Sequence, residues 1–70
     1  MADMIAQPPH YVQFGETYEP INVIEAWRLG YRLGNVLKYI ARREMKGDAL
    51  ENLRKARWYL DREIATLETS

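Results

Sequence analysis

Between Leu33 and Arg42 two kinds of side chain alternate with the period of an α-helix, and this constrains the fold more than any other stretch. Asn35, Lys38, Tyr39 and Arg42 fall at i, i+3, i+4 and i+7, so a helix stacks them in one narrow stripe. Leu33, Val36, Leu37, Ile40 and Ala41 occupy the opposite side. One face therefore reads as core. The other carries an amide, an ammonium, a phenol and a guanidinium within two turns. These groups suit a phosphorylated, ring-bearing small molecule: Arg and Lys for phosphate, Tyr for a flat base, Asn for an edge hydrogen bond. A solvated helix face is the plainer alternative.

The flanking sequence extends the helical reading. Pro20 fits a first helical turn, where its missing N–H costs nothing, and Ile21, Val23, Ile24 and Trp27 share one side of a helix running to about Leu29. Gly30 is the expected left-handed stop. A second helix runs from near Arg32 to before Gly47. A third starts at Asp48, with Glu51 three residues on as in a capping box, and continues to about Leu67. Along it Leu50, Leu53, Leu60, Ile64 and Leu67 make a heptad-spaced seam, interrupted by Arg57. The short connection between the last two helices predicts an antiparallel hairpin. No period-two pattern marks a strand. The expected fold is all-α, a small three-helix domain over residues 20–70. Residues 1–19 read as an N-terminal arm, because Pro8-Pro9 blocks a helix and Gly15 with Thr17-Tyr18-Glu19 suggests extended or turning chain. Tyr11, Phe14 and Tyr18 give the arm apolar handles for its own domain or a neighbouring subunit.

Size sets the next expectation. A 70-residue chain buries only about 60% of its unfolded surface. Such a core rarely supplies more than about 3–5 kcal/mol. With no Cys and one His, neither disulfides nor the usual zinc sites can staple it. Yet the chain is 47% hydrophobic, with two Trp and five Tyr, so self-association into a homo-oligomer is the expected remedy. No apolar run approaches a membrane span, and the first 20 residues lack the pattern of a signal peptide. A cytoplasmic protein without a membrane partner is expected. Net charge is zero, but residues 28–57 hold nine bases against three acids. That central excess implies a local anion site, and the lack of a broader basic coat disfavours nucleic acid.

The third helix repeats the polar theme: Asn52, Lys55, Tyr59 and Arg62 lie opposite its leucine seam. If the two polar faces meet, within a hairpin or across a dimer, they line one basic, aromatic cleft. Arg54 and Trp58, at i and i+4, can stack as an ordinary surface pair or cap a base. Arg57 in the seam is expected to meet a carboxylate across a subunit contact. His10, beside Tyr11, could serve as a general acid or base or bond a phosphate, although a lone tail His more often does neither. Lys46-Gly47-Asp48 joins a Lys to a helix start, but Asp48 already fills the cap, which weakens it as an anion site. Neither a Walker loop nor a Rossmann fingerprint is present, and no acidic set of the kind a magnesium-dependent all-α pyrophosphohydrolase needs. No metal and no cofactor are expected.

The blocks Glu19-Pro20-Ile21, Val23–Trp27, Gly34–Ile40, Lys46-Gly47-Asp48 and Asn52–Leu60, with His10-Tyr11 before them, resemble a family of small phage proteins labelled SaV-like or nucleotide kinase-like. The resemblance spans roughly residues 9–66. It extends to a domain near the C-terminal end of a longer phage nucleotide kinase, which phosphorylates deoxynucleoside monophosphates. It implies a phage origin, an oligomer and a nucleotide ligand. The ligand-binding positions it marks are His10, Tyr11, Asn35, Lys38, Tyr39, Arg42, Lys46, Lys55 and Tyr59.

Three functions compete. The first is capture of a phosphorylated nucleotide, in the manner of phage anti-defence proteins that sequester a nucleotide immune signal of the host. The second is an enzyme, a nucleoside monophosphate kinase acting on deoxynucleotides, with His10 as proton acceptor. The third is a helical interaction module for a host protein or nucleic acid.

Overall fold

The computed structural model describes residues 15–70, and among them every regular element is helical. Four helices follow in order: α1 (Gly15–Tyr18), α2 (Pro20–Ala26), α3 (Tyr31–Ala41) and α4 (Ala49–Glu68). The all-α expectation therefore stands. The arm expected over residues 1–19, as extended or turning chain, is described only from Gly15, and Gly15–Tyr18 there is a single helical turn. Gly15 enters that turn at φ 74°, and the Asn22 side-chain amide donates to the Glu16 carbonyl, fastening α1 to α2.

Each boundary has a local cause. Pro20 is the first residue of α2, and Glu19 before it is extended, as a residue preceding proline must be. The Glu19 carbonyl accepts from the Asn22 and Val23 amides at 2.9 and 3.1 Å, closing the first turn. α2 stops at Ala26, three residues short of the expected end. Gly30 is not its left-handed stop: it sits at φ −79° as the N-cap of α3. The left-handed residue is Arg28, at φ 59°. Arg28 N–H donates to the Glu25 carbonyl and Leu29 N–H to the Ile24 carbonyl, the bond pair that closes a helix around one left-handed residue. A non-glycine residue there costs about 1–2 kcal/mol.

α3 ends at Ala41, earlier than expected, and a tight turn brings the Met45 and Lys46 amides back to the Arg42 carbonyl at 3.0 and 3.3 Å. Gly47 follows at φ 78°, where a side chain would be strained. Asp48 then caps α4 as expected, its carboxylate accepting from the Glu51 amide at 3.3 Å.

α3 and α4 pack on each other, and α2 packs on α3. The contacts join the start of α3 to the later part of α4, through Arg32 and Glu63, and the end of α3 to the start of α4, through Asn52. The α4 residues turned toward α3 are Asn52 and Ala56, both buried, then Tyr59 and Glu63, both half-buried. Their spacing of four, three and four follows one helix face. On the other side of α3, Ile24 of α2 lies against Gly34, where a Cβ would stand at ordinary contact distance, 3.5 Å.

The leucine seam is not the core. Leu50, Leu53, Leu60, Ile64 and Leu67 are 54, 42, 41, 45 and 66% exposed. The apolar side of α3 fares little better, with Ile40 exposed and Leu33, Val36, Leu37 and Ala41 half-buried. Among the described residues the single buried hydrophobic side chain is Ala56.

Candidate functional site

Because α4 turns its Asn52–Glu63 stripe toward α3, the tyrosines of the two helices meet. Tyr39 and Tyr59 stack with centroids 6.0 Å apart and ring planes 19° from parallel. Tyr31 and Trp58 each present an edge to Tyr59, at 5.9 and 5.0 Å. Around the Tyr39 ring stand three cations: the Arg42 guanidinium at 4.6 Å, the Lys38 ammonium at 5.1 Å and the Lys55 ammonium at 5.7 Å from its centroid.

The electrostatics of this cluster are one-sided. A ring face attracts a cation, but three like charges around one ring also repel each other. No carboxylate relieves them, since the one ion pair among the described residues joins Arg32 to Glu63 at 2.7 Å. The Arg42 Nε is moreover buried without a hydrogen-bond partner. A buried donor left unpaired costs about 1–3 kcal/mol. An anion seated among these groups would relieve both penalties. Hydrogen bonding to the Tyr31 side chain, then burial, then the neighbouring Tyr31 and Tyr39 phenols, push the Tyr59 pKa up. That shift favours the neutral phenol, whose single O–H is engaged with Tyr31.

Beside the cluster, between α2 and α3, lies an open groove of about 400 Å³ lined by Ile24, Leu29, Gly30, Tyr31, Gly34, Asn35 and Lys38. Its walls are two aliphatic side chains and two glycines, with one phenol, one amide and one ammonium. Tyr31 and Lys38 belong both to the groove and to the aromatic–cation cluster, so the two are continuous.

Lys38, Tyr39, Arg42, Lys55 and Tyr59 are thus brought together, while Asn35 lies along the groove with its amide donating to the Tyr31 carbonyl at 2.8 Å. Lys46 stands apart: its side chain is exposed, and its carbonyl accepts from the Asn52 amide at 2.6 Å. His10 and Tyr11 lie outside the described residues.

Two polar residues have other work than their spacing implied. Asn52 is buried and clasps the carbonyls of Arg42, Arg43 and Lys46, so it locks the α3–α4 turn instead of facing a ligand. Arg62 lies 5.1 Å over Trp58, the place expected for Arg54, so it does not extend the cluster. Arg57 is exposed. Tyr31 was missed by the sequence reading, although it extends the Asn35–Tyr39 stripe by one turn at i−4.

Fold and site together define a small helical protein with clustered tyrosines and cations on one surface. The chain belongs to the family described as protein of unknown function (DUF3310), whose profile matches residues 5–61. The match holds α1, α2, α3 and more than half of α4, and with them every member of the cluster and groove. No curated protein and no solved structure matches the chain. No helix among the described residues is long and apolar enough to cross a membrane.

Proposed function

We propose that this chain is a nucleotide-binding protein that captures a phosphorylated nucleotide, working as a homo-oligomer of three-helix subunits built on an antiparallel α3–α4 hairpin. The observation that carries this reading is the continuity of the two surfaces at Lys38, which is both a groove wall and one of three cations around Tyr39. Phosphate oxygens would sit among Lys38, Arg42 and Lys55, with the Tyr59 ring stacked on Tyr39 beside them. The sugar and base would extend along the groove, where Tyr31 offers a flat surface and Asn35 an amide. Charge-assisted bonds of this kind contribute about 1.5–3 kcal/mol each.

Capture needs only these binding groups, and the resemblance to small phage proteins points to a host nucleotide immune signal as the ligand. Sequestration in the cytoplasm of an infected bacterium is the corresponding role. Kinship with the SaV-like and nucleotide kinase-like proteins belongs to the same reading.

The test is thermal stability of the full chain against mono-, di- and triphosphates, cyclic dinucleotides and ADP-ribose derivatives. A true ligand at 100 times its Kd stabilises by about 2.7 kcal/mol per site in the simplest case. Its intact recovery after denaturation supports capture, whereas recovery as a newly phosphorylated species means kinase activity. A Lys38→Ala, Arg42→Ala double variant should lose the shift while keeping its helical circular dichroism. An unchanged shift in that variant refutes the site.

A further inference from the structure

The exposed seam of α4 has the pattern of a helix interface. Leu50, Leu53, Arg57, Leu60, Ile64 and Leu67 alternate steps of three and four over nearly three heptads without a break. Such a seam is the a/d stripe of a two-helix contact about 26 Å long. It stands roughly a quarter turn round α4 from the α3-facing stripe, on the flank away from Lys55, so covering it leaves the cation cluster open.

We infer that the occupant is the α4 seam of a second copy of this chain, running antiparallel about a two-fold axis. Charge selects this arrangement. In a parallel pair Arg57 would face the partner's Arg57 in the middle of the seam, and Glu63 would face the partner's Glu68. Like charges meet in both places. In the antiparallel pair centred between Arg57 and Leu60, Leu50 meets the partner's Leu67, Leu53 meets the partner's Ile64, and Arg57 packs its stem on the partner's Leu60. Arg54 and Asp61, both exposed and seven residues apart beside the seam, then fall opposite each other twice: Arg54 against the partner's Asp61, and Asp61 against the partner's Arg54. Neither forms an ion pair within the described residues of its own chain. Arg57 also comes within reach of the partner's Asp61. The surface is complementary to itself in one direction only, as an isologous contact requires. Ile40, exposed on α3, adds apolar area beside it.

Sedimentation equilibrium of the full chain should show a dimer, or an assembly of even order, that dissociates on dilution. Arg54→Glu sets two carboxylates opposite two others and should raise the dissociation constant about tenfold. The double variant Arg54→Glu, Asp61→Arg should restore it. Seven residues along one helix is about 10 Å, too far for that rescue to arise within a chain. Orientation is read by cross-linking, which the absence of cysteine makes clean. A mixture of Leu53→Cys and Ile64→Cys proteins should give a mixed disulfide dimer, and Leu53→Cys alone should not. A monomer at every concentration, an Arg54→Glu variant that associates like the parent, or ready self-cross-linking of Leu53→Cys would each overturn the inference. None of these readouts depends on nucleotide binding.

Discussion

The two flanks of α4 invert the usual division of labour. Toward its own α3 the helix presents Asn52, Ala56, Tyr59 and Glu63, three of which are polar or hydroxylated; away from it, five large aliphatic side chains stand exposed. In a self-sufficient bundle the aliphatic flank would be inside. Here the contact within the chain is held by directional bonds: an amide clasp on three carbonyls, an ion pair at 2.7 Å and a stacked tyrosine pair. Directional bonds fix a register, whereas apolar area supplies undirected driving force. The chain spends the first on its own geometry and leaves the second on its surface.

Substitutions along the inner stripe probe that contrast. The largest effect should come from Asn52→Ala, which strips the part-buried three-carbonyl clasp from the α3–α4 turn. A loss of about 2–3 kcal/mol is expected in urea unfolding at fixed protein concentration. A loss no larger than that of an exposed polar residue would mean that the turn holds itself. Ala56→Leu comes next. It overfills the buried place that Ala56 occupies on α4, and about 1–2 kcal/mol should be lost by the same measurement, although the new residue is more hydrophobic. Stabilisation by that leucine would show that the inner contact is underpacked.

Arg32→Gln should cost about 0.5 kcal/mol, because both members of the Arg32–Glu63 pair keep part of their surface in water. The difference between this variant and the parent should shrink in high salt. The smallest effect concerns the Tyr59 phenol. Its folded pKa is raised, so the stability its neutral form contributes is complete below the ordinary phenol range, about pH 10, and fades as pH climbs through the higher folded value. Stability measured by unfolding from pH 9 to pH 11 should fall less steeply in Tyr59→Phe than in the parent.

Local chemistry was the legible part of this sequence. Pro20 and Asp48 start helices where their backbone and capping preferences place them, and the Lys38–Tyr39–Arg42 stripe meets Lys55 and Tyr59 because both runs keep helical period. Periodicity states that two faces differ without stating which one a neighbour covers. Spacing alone therefore gives Asn52 a place on the polar face beside Lys55 and Tyr59, whereas its amide is spent on three backbone carbonyls. Gly30 misled for a related reason. Glycine is the usual left-handed stop, but the helix closes two residues earlier on Arg28, where Leu29 N–H can reach the Ile24 carbonyl. Arg62 takes the Trp58 ring expected for Arg54, since both lie four residues from it and spacing cannot choose between them.

The bond from Leu29 to Ile24 has one more consequence. Both residues line the groove, and the turn between them rests on the single positive φ of Arg28. The width of the groove is thus a matter of torsion more than of side-chain fit: a hinge held at one setting by two hydrogen bonds, with Ile24 braced across the bare backbone of Gly34. On the proposed nucleotide reading, that torsion would set the thickness of ring the groove admits before any polar group came into play.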